Sequence, residues 1–378
     1  MSGNGVLCVV RDTPSAFSET FITAQERGLP YKIITLYGQT AERLDRGAER
    51  VSVWKKSVIA LRRNIFWRSP QDESRFFYTK ALREIQPDAV LAQFGPLGVR
   101  VMAACEDLNI PLITYFRGKD ASAQPILDVY RVAYSTLFGS TSAIIAKSEQ
   151  IRDRLLELGA SERKIIVDYG GVDVERFHGG SPAGAGPLFI AVGRLTEKKA
   201  PHLTLLAFRK TLERVPAAEL VLVGDGPLRG VVRDMVRGLG LVDKVRLTGE
   251  APHDEVRRLM REARAFVQHS VQAIDGDIEG VPNSVMEASA VGIPVVATRH
   301  SGIPACVRHG ETGFLVDEHD VDGMAAFMTE LALDPDLAGR MGQAGRARMV
   351  AEFSIDKSLQ VVSEVIQRAV LDAGTTRA

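Results

Sequence analysis

Two charged constellations in the second half of the chain have the residue types and spacing to do chemistry. The first is Gly193-Arg194-Leu195-Thr196-Glu197-Lys198-Lys199, directly after the apolar run LFIAV. A cation at a strand end and another a turn later can converge on one anion, Arg194 as a planar fork and Lys199 as a point charge. A solvated loop with ordinary surface charge would read the same way. The second is DGDIEGVPNSVMEASA, residues 275–290. Asp275, Asp277 and Glu279 crowd a loop after the run AFVQ, and Pro282 reads as an early helix residue. Glu287 shares a helical face with Asn283. Glu279 and Glu287 therefore approach one helix N-terminus from opposite sides, where free amides and the positive dipole end suit a phosphate. An acidic loop capping a helix would supply the same carboxylates. A glycosidase acid/base pair is another reading, but the neighbouring cations suit an anionic leaving group better.

Weaker signals lie elsewhere. In WKKSVIALRRNIFWR, Trp54, Val58, Leu61 and Ile65 fall at helical spacing. Lys55, Lys56, Arg62, Arg63 and Arg68 accompany them without an acid, a pattern that suits an anionic membrane surface and also an ordinary surface helix. His202, His253, His269, His300, His309 and His319 show no metal spacing and read mostly as surface or loop residues. Gly224-Asp225-Gly226-Pro227 lacks the third glycine of a dinucleotide fingerprint, so a nicotinamide cofactor is a poor reading.

The elements that must position these residues are short apolar runs alternating with amphipathic stretches. Strands are expected at 6–10, 31–36, 89–92, 112–115, 143–146 and 164–168, then at 188–192, 219–223, 244–247, 265–268, 295–297 and 314–316. Helical patterns separate them, which implies α/β architecture with parallel sheets covered on both faces. HGGSPAGAGP, residues 178–187, is the sharpest change of composition and reads as a linker. A chain of 378 residues suits such a pair of domains. Two similar sheets facing across a cleft would hold a ligand at their carboxyl strand ends.

Bulk composition excludes some classes. Hydrophobic content of 45% and charged content of 25% are those of a globular protein, and the zero net charge gives no argument for nucleic acid. Cys8, Cys105 and Cys306 are scattered, form no CxxC, and read as free thiols in a reducing compartment. The first apolar run is too short for a signal peptide and none is long enough to span a bilayer. A cytoplasmic protein is expected, with peripheral contact to the inner face of the plasma membrane if the basic segment binds there.

VGRLTEKK, VLVGDGP, LTGE, EGVPNSVMEASAVGIPVVAT and SGIPACVRHGETGFLV, in that order, resemble the large retaining glycosyltransferase family with the GT-B fold, of group 1 / family 4 type. Glu279 and Glu287 match its signature of Glu, seven residues, Glu. SETFI, AQFGPLG, PLITYFRGKDAS and YGGVD match more loosely, and the motifs look like the bacterial exopolysaccharide, colanic-acid-type branch. The resemblance implies two Rossmann-like domains facing across a cleft: an acceptor-side domain at 1–177, a linker at 178–187, and a nucleotide-sugar-binding domain at 188–355. A last helix at 356–378 would pack back on the first domain. It further implies that Arg194 and Lys199 hold the donor diphosphate and that Glu279 lies near the transferred sugar. Glu287 would bind the ribose hydroxyls, and Gly193, Gly280, Val281, Asn283 and Ser284 would approach the phosphate and sugar. The implied reaction is retaining transfer from a UDP- or GDP-sugar to a glycan or lipid-linked acceptor, without a metal or other cofactor.

The chain departs from the family pattern at several positions. Arg117 stands where many members have a His close to the sugar, and Arg cannot accept a proton there. With Asp120 it is assigned to the acceptor or sugar side. Pro282 replaces a frequent Gly and has no N–H to offer a phosphate. The first loop lacks a double glycine, so Ser18, Glu19 and Thr20 are expected to face the acceptor. A sugar-nucleotide epimerase on the same architecture, or a non-catalytic nucleotide-sugar-binding subunit, are the rival readings.

Overall fold

The computed structural model describes residues 5–12, 20–38, 42–43 and 70–375. The expectations for Ser18, Glu19 and the basic segment from Trp54 to Arg68 lie outside the described residues. Of Thr20 only the backbone is described, as the first residue of the helix Thr20–Gly28.

Strands β1 (Val6–Arg11), β2 (Lys32–Tyr37), β3 (Glu42–Arg43), β4 (Ala89–Ala92), β5 (Leu112–Phe116), β6 (Ala143–Ala146) and β7 (Ile165–Val167) form one sheet in the order β3-β2-β1-β4-β5-β6-β7. It is parallel except for the short edge strand β3, which runs antiparallel to β2. Strands β8 (Leu188–Val192), β9 (Glu219–Val223), β10 (Val245–Gly249), β11 (Ala265–Gln268), β12 (Val295–Thr298) and β13 (Gly313–Val316) form a second, wholly parallel sheet in the order β10-β9-β8-β11-β12-β13. Central strands such as β4, β6 and β12 are buried at every residue. Their sequences AVLA, AIIA and VVAT are accordingly almost wholly apolar rather than alternating, with Thr298 the one polar residue, as suits a sheet covered on both faces.

Each sheet reverses its winding direction once, between β1 and β4 in the first and between β8 and β11 in the second. Loops on either side of such a point diverge, and a crevice opens at the carboxyl ends of the strands. Residues that bear on the site sit at or just after the carboxyl ends of strands in both sheets. Arg194 follows β8, Arg117 follows β5, and Gln268 ends β11.

The chain crosses between the sheets twice, and the crossings pair with each other. The Val172 amide donates to Phe353 and the Ile355 amide donates back to Val172, each at 2.9 Å. A Cβ on Gly171 would stand 2.5 Å from the Ile355 Cα, so only glycine lets the crossings touch. Beyond the second crossing, the helix Ile355–Thr375 returns to the first sheet. It buries Val362, Val365, Ile366 and Ala369 against Leu7, Val9, Leu91, Ile113 and Ile145.

The segment 178–187 differs from the expected linker. Val172 and Phe177, which precede it, already pack in the core of the second sheet. The Gly180 amide donates to Val291 at 2.8 Å, and Gly180 is pressed against the Val291 side chain. The crossover is therefore the stretch 168–172. Composition misplaced it because the Gly- and Pro-rich stretch turns tightly over a surface, where small residues are needed as much as in a tether.

Candidate active site

Lys199 begins the site. β8 delivers the chain to Gly193, whose extended turn (φ 159°) redirects it into the short helix Glu197–Lys199. Lys199 Nζ lies 3.4 Å from Glu279 Oε2 and 3.4 Å from Gln268 Oε1. Burial pushes its pKa down, and Glu279 offsets only part of that. Its neighbour Lys198 turns to the acidic loop, with Nζ 2.9 Å from Asp277 Oδ1, 3.2 Å from the Ile278 carbonyl and 3.8 Å from Glu279 Oε1. Burial alone would lower the Lys198 pKa, but Glu279 and Asp277 together raise it. Arg194 is exposed and makes no ion pair or side-chain hydrogen bond among the described residues. Its fork remains open to the cleft that it helps line.

Glu279 is 8% exposed. Burial favours its neutral form, yet Lys199 and Lys198 oppose burial and hold the carboxyl below its ordinary value. It is thus an ionised carboxylate in a dry place, and its Oε1 has no hydrogen-bond partner among the described residues. The loop that carries it is tied down by a residue no motif had singled out. His300 Nε2 accepts from the Glu279 amide at 3.1 Å, and its Nδ1 is 2.6 Å from Glu318 Oε1. Glu318 Oε2 accepts from the Gln272 amide at 2.9 Å. One Glu–His pair therefore grips both ends of the loop and fixes the proton on Nδ1. The Ser301 hydroxyl adds a bond to the Glu279 carbonyl.

The helix Asn283–Val291 points its N-terminus into the same cleft. Pro282 occupies the cap position rather than the first turn, without a side-chain cap. The amides of Asn283 and Ser284 are first-turn groups with no acceptor of their own. Asn283 Oδ1 is buried without a partner among the described residues. Ser284 Oγ donates to Gln268 Oε1 at 3.3 Å, so Gln268 links this helix to Lys199. Further along the helix Glu287 makes no ion pair among the described residues, and burial pushes its pKa up to about 7 against a weak pull from Arg176. These are groups poised for a ligand: free amides, an unpartnered amide oxygen and an uncommitted carboxyl.

The first sheet supplies the opposite wall. Arg117 donates from Nε to the Gln93 carbonyl at 3.3 Å and from its terminal nitrogen to the Gln93 side chain, while its guanidinium sits 3.7 Å over the Tyr115 ring. Asp120, also at the cleft, is 2% exposed and uses both oxygens on the backbone. It accepts from Gly95 at 3.1 Å and from Arg117 and Gly118 at 3.0 Å each. Its carboxylate fastens the loop after β5 instead of presenting a free oxygen to a sugar. Lys147, which no sequence signal singled out, lines the cleft beside Arg117.

The acidic loop bridges the walls. Ile278 belongs to the second domain, yet its side chain packs in the core cluster of the first sheet. Its amide donates to Ser122 Oγ at 3.2 Å, and Gln124 donates to the Asp275 carbonyl at 2.7 Å. The result is a cleft of about 380 Å³ that brings together Arg117, Asp120, Gly193, Arg194, Lys199, Glu279, Gly280, Val281, Asn283, Ser284 and Glu287.

Histidine positions depart from the expected surface setting. His269 is fully buried with its pKa pushed down to about 4 by burial and by His319 and His202, and His300 is 2% exposed. All three cysteines are buried and free. Among the described residues no three His, Cys, Asp or Glu side chains gather as a metal would need, and no helix is long and apolar enough to cross a membrane.

Two mostly parallel sheets that face each other over a cationic cleft define a two-domain α/β protein. Comparison with known proteins specifies the class. The family model "Glycosyl transferases group 1" matches residues 175–348, and "Glycosyltransferase Family 4" matches residues 24–176. The putative colanic acid biosynthesis glycosyltransferase WcaL of Salmonella typhimurium is 34% identical over 315 residues, 79% of this chain and 77% of the relative. Its counterpart in Escherichia coli K12 is 32% identical over 361 residues, 91% of this chain and 86% of the relative. The chain belongs to the group 1 / family 4 glycosyltransferases. Among solved structures, Anabaena HepE in complex with UDP and glucose superposes with a TM-score of 0.76 at 17% identity, over 96% of this chain and all (100%) of that one. The lipopolysaccharide outer core galactosyltransferase WaaB gives 0.68 at 17% identity, over 96% and 99%. The fold is GT-B.

Proposed function

We propose that the cleft takes a UDP- or GDP-sugar and that the enzyme passes the sugar, with retention, to a glycan or lipid-linked acceptor in exopolysaccharide assembly. The observation that carries this reading is that Arg194, Lys199 and the first-turn residues Asn283 and Ser284 line one cleft with the buried Glu279. Cations and amides aimed at one place suit a diphosphate that gains charge as it leaves. Glu287, uncommitted and half-buried, suits a pair of ribose hydroxyls. Glu279, held ionised beside Lys199, suits a place facing the anomeric carbon as that carbon gains positive character. In the step proposed, the bond from the anomeric carbon to the phosphate oxygen breaks and its electrons stay on the diphosphate. The acceptor hydroxyl attaches from the same face, and its proton passes to the departing phosphate oxygen. Arg194, Lys199 and the amides receive the charge without a metal. The relatives' names support the exopolysaccharide setting, and the UDP of the HepE complex supports the donor class.

The test is turnover with a panel of UDP- and GDP-sugars and glycan acceptors. Acceptor-dependent release of nucleoside diphosphate is expected, undiminished by EDTA. Lys199→Ala should reduce the rate by roughly 100–1,000-fold while the protein stays folded. An isomerised donor in the absence of acceptor would replace this reading with an epimerase, and binding without any turnover would replace it with a carrier subunit. For the basic segment we propose peripheral docking on the cytoplasmic face of the membrane. Cosedimentation with anionic vesicles at low salt checks it, and absence of binding there rejects it.

A further inference from the structure

The donor reading leaves one buried cation without a task. Lys147 follows β6, its amide donating to the Phe116 carbonyl at 3.0 Å, and the residue is 6% exposed. Its ammonium makes no hydrogen bond and no ion pair among the described residues. The nearest carboxylate that attracts it, Asp168, is already engaged. Asp168 Oδ2 accepts from Tyr115 at 2.7 Å and from Ser358 at 2.9 Å, and its Oδ1 accepts from Gly170 at 3.0 Å. Burying an ammonium without a hydrogen-bonded partner is costly, and an apolar side chain of the same length would avoid that cost. Burial lowers the Lys147 pKa to about 8, with Arg117 pushing the same way and Asp168 and Cys306 opposing. At neutral pH the group is still mostly a cation.

The surroundings are shaped to keep it there. A Cβ on Gly280 would come 2.5 Å from Lys147 Cγ, and one on Gly170 would come 1.9 Å from Nζ. The stem is clamped between the two domains by one glycine and the ammonium is housed by the other. Lys147 and Arg117 together line both the main cleft and a cavity of about 20 Å³ behind it. Gln93 and the Tyr115 ring fix the Arg117 plane. Charge balance in the cleft points the same way. Lys198 is matched by Asp277 and Lys199 by Glu279, while Asp120 is turned to the backbone. Among the described residues that leaves Lys147 as a buried cleft cation with no hydrogen-bonded carboxylate of its own, and the donor diphosphate would lie against the opposite wall.

We infer that Lys147 and Arg117 form a second oxyanion subsite, on the first-sheet wall, that binds a carboxylate or phosphate group of a substrate other than the donor diphosphate. This rests on the donor reading, and it narrows that reading's substrates to ones bearing an extra negative charge. The charge has two sources: the carboxylate of a uronic acid being transferred, or the phosphate of a lipid-linked acceptor. A planar fork beside a point charge suits either group.

Calorimetry on the full chain tests it in two arms. The first compares UDP-glucuronate with UDP-glucose, and GDP-mannuronate with GDP-mannose. The second titrates protein saturated with UDP or GDP with geranyl phosphate and with geraniol. The anionic member of at least one pair should bind at least about tenfold tighter, the scale of a charge-assisted hydrogen bond. Lys147→Met should erase that preference and leave affinity for UDP or GDP itself unchanged. Arg117→Gln should erase it too, so the result does not hang on one variant's folding. A preference in the first arm assigns the donor sugar's carboxylate, and one in the second assigns the acceptor's phosphate. No preference in either arm, or one that survives Lys147→Met, overturns the subsite while nucleotide binding leaves the donor reading intact. If neither UDP nor GDP binds, the donor reading falls and the subsite falls with it.

Discussion

Glu287 shows how a group proposed to bind a ligand is set at odds with stability. Its carboxyl would titrate near 4.5 in an unfolded chain and near 7 in the folded protein, because burial disfavours the charge. A pKa raised by folding means that the neutral form is the one the fold favours. The stabilising contribution is therefore complete below pH 4.5 and is lost as pH rises through 7. Glutamine mimics the neutral form at every pH. Glu287→Gln should match wild type in melting temperature near pH 4.5 and exceed it at pH 8, by on the order of 2–3 kcal/mol in stability. Nucleotide affinity should fall in the same variant. Equal melting curves at pH 8 would show that the carboxyl has a partner in solution. Residues such as Arg194, Lys199, Glu279 and Glu287 were legible because their types and spacing sit in contiguous motifs. Lys147, Gln268 and His300 were not. Each acts on a group far away in the chain, and only the strand order brings them together: Gln268 reaches Lys199, and His300 reaches Glu279 through a strand and a turn.

At the scale of elements, every strand expected from an apolar run is present within a few residues, since a strand covered on both faces is almost wholly apolar. The two-residue edge strand β3 carries no such pattern and was missed. The loop from Asp275 to Gly280 was read as an acidic cluster, but its apolar Ile278 is what joins it to the first sheet. Gly280 marks the closest approach of the walls. A methyl group there would meet the Arg117 carbonyl at 2.7 Å as well as the Lys147 stem. Backbone cannot give way as a flexible side-chain end can, so Gly280→Ala should hold the cleft apart. Transfer should fall at least about tenfold, as expected when reacting groups are displaced by a fraction of an ångström or more. The melting temperature should fall only modestly, because Ile278 is the one core residue of the first sheet that the loop carries. Scattering would report a more open molecule, and unchanged transfer would show that closure this tight is not needed.

On the scale of the whole molecule, the composition shift at residues 178–187 pointed to the wrong stretch as the crossover, because a glycine-rich surface turn and a tether look alike in one dimension. The return of the last helix to the first sheet is also a long-range event. The first domain is completed only when the end of the chain arrives. Deleting residues 355–378 would uncover the apolar face around Leu7, Val9, Leu91 and Ile113. Losing burial of Val362, Val365, Ile366 and Ala369 should cost roughly 5–8 kcal/mol, comparable to a domain's whole stability. Such a truncation should be found in the insoluble fraction, and a soluble, folded product would show that the first domain stands alone.

The Ile278 bridge has a consequence for fidelity. The loop that presents the ionised Glu279 is also the latch between the halves, so swinging the halves apart pulls the latch from its socket beside Ser122. A protein built this way is armed only while shut. Water enters when the halves part, and at that moment the reactive carboxylate's loop has lost its hold on the far wall. Under the transfer proposed, this arrangement would favour delivery of the sugar to an acceptor already enclosed over its loss to solvent.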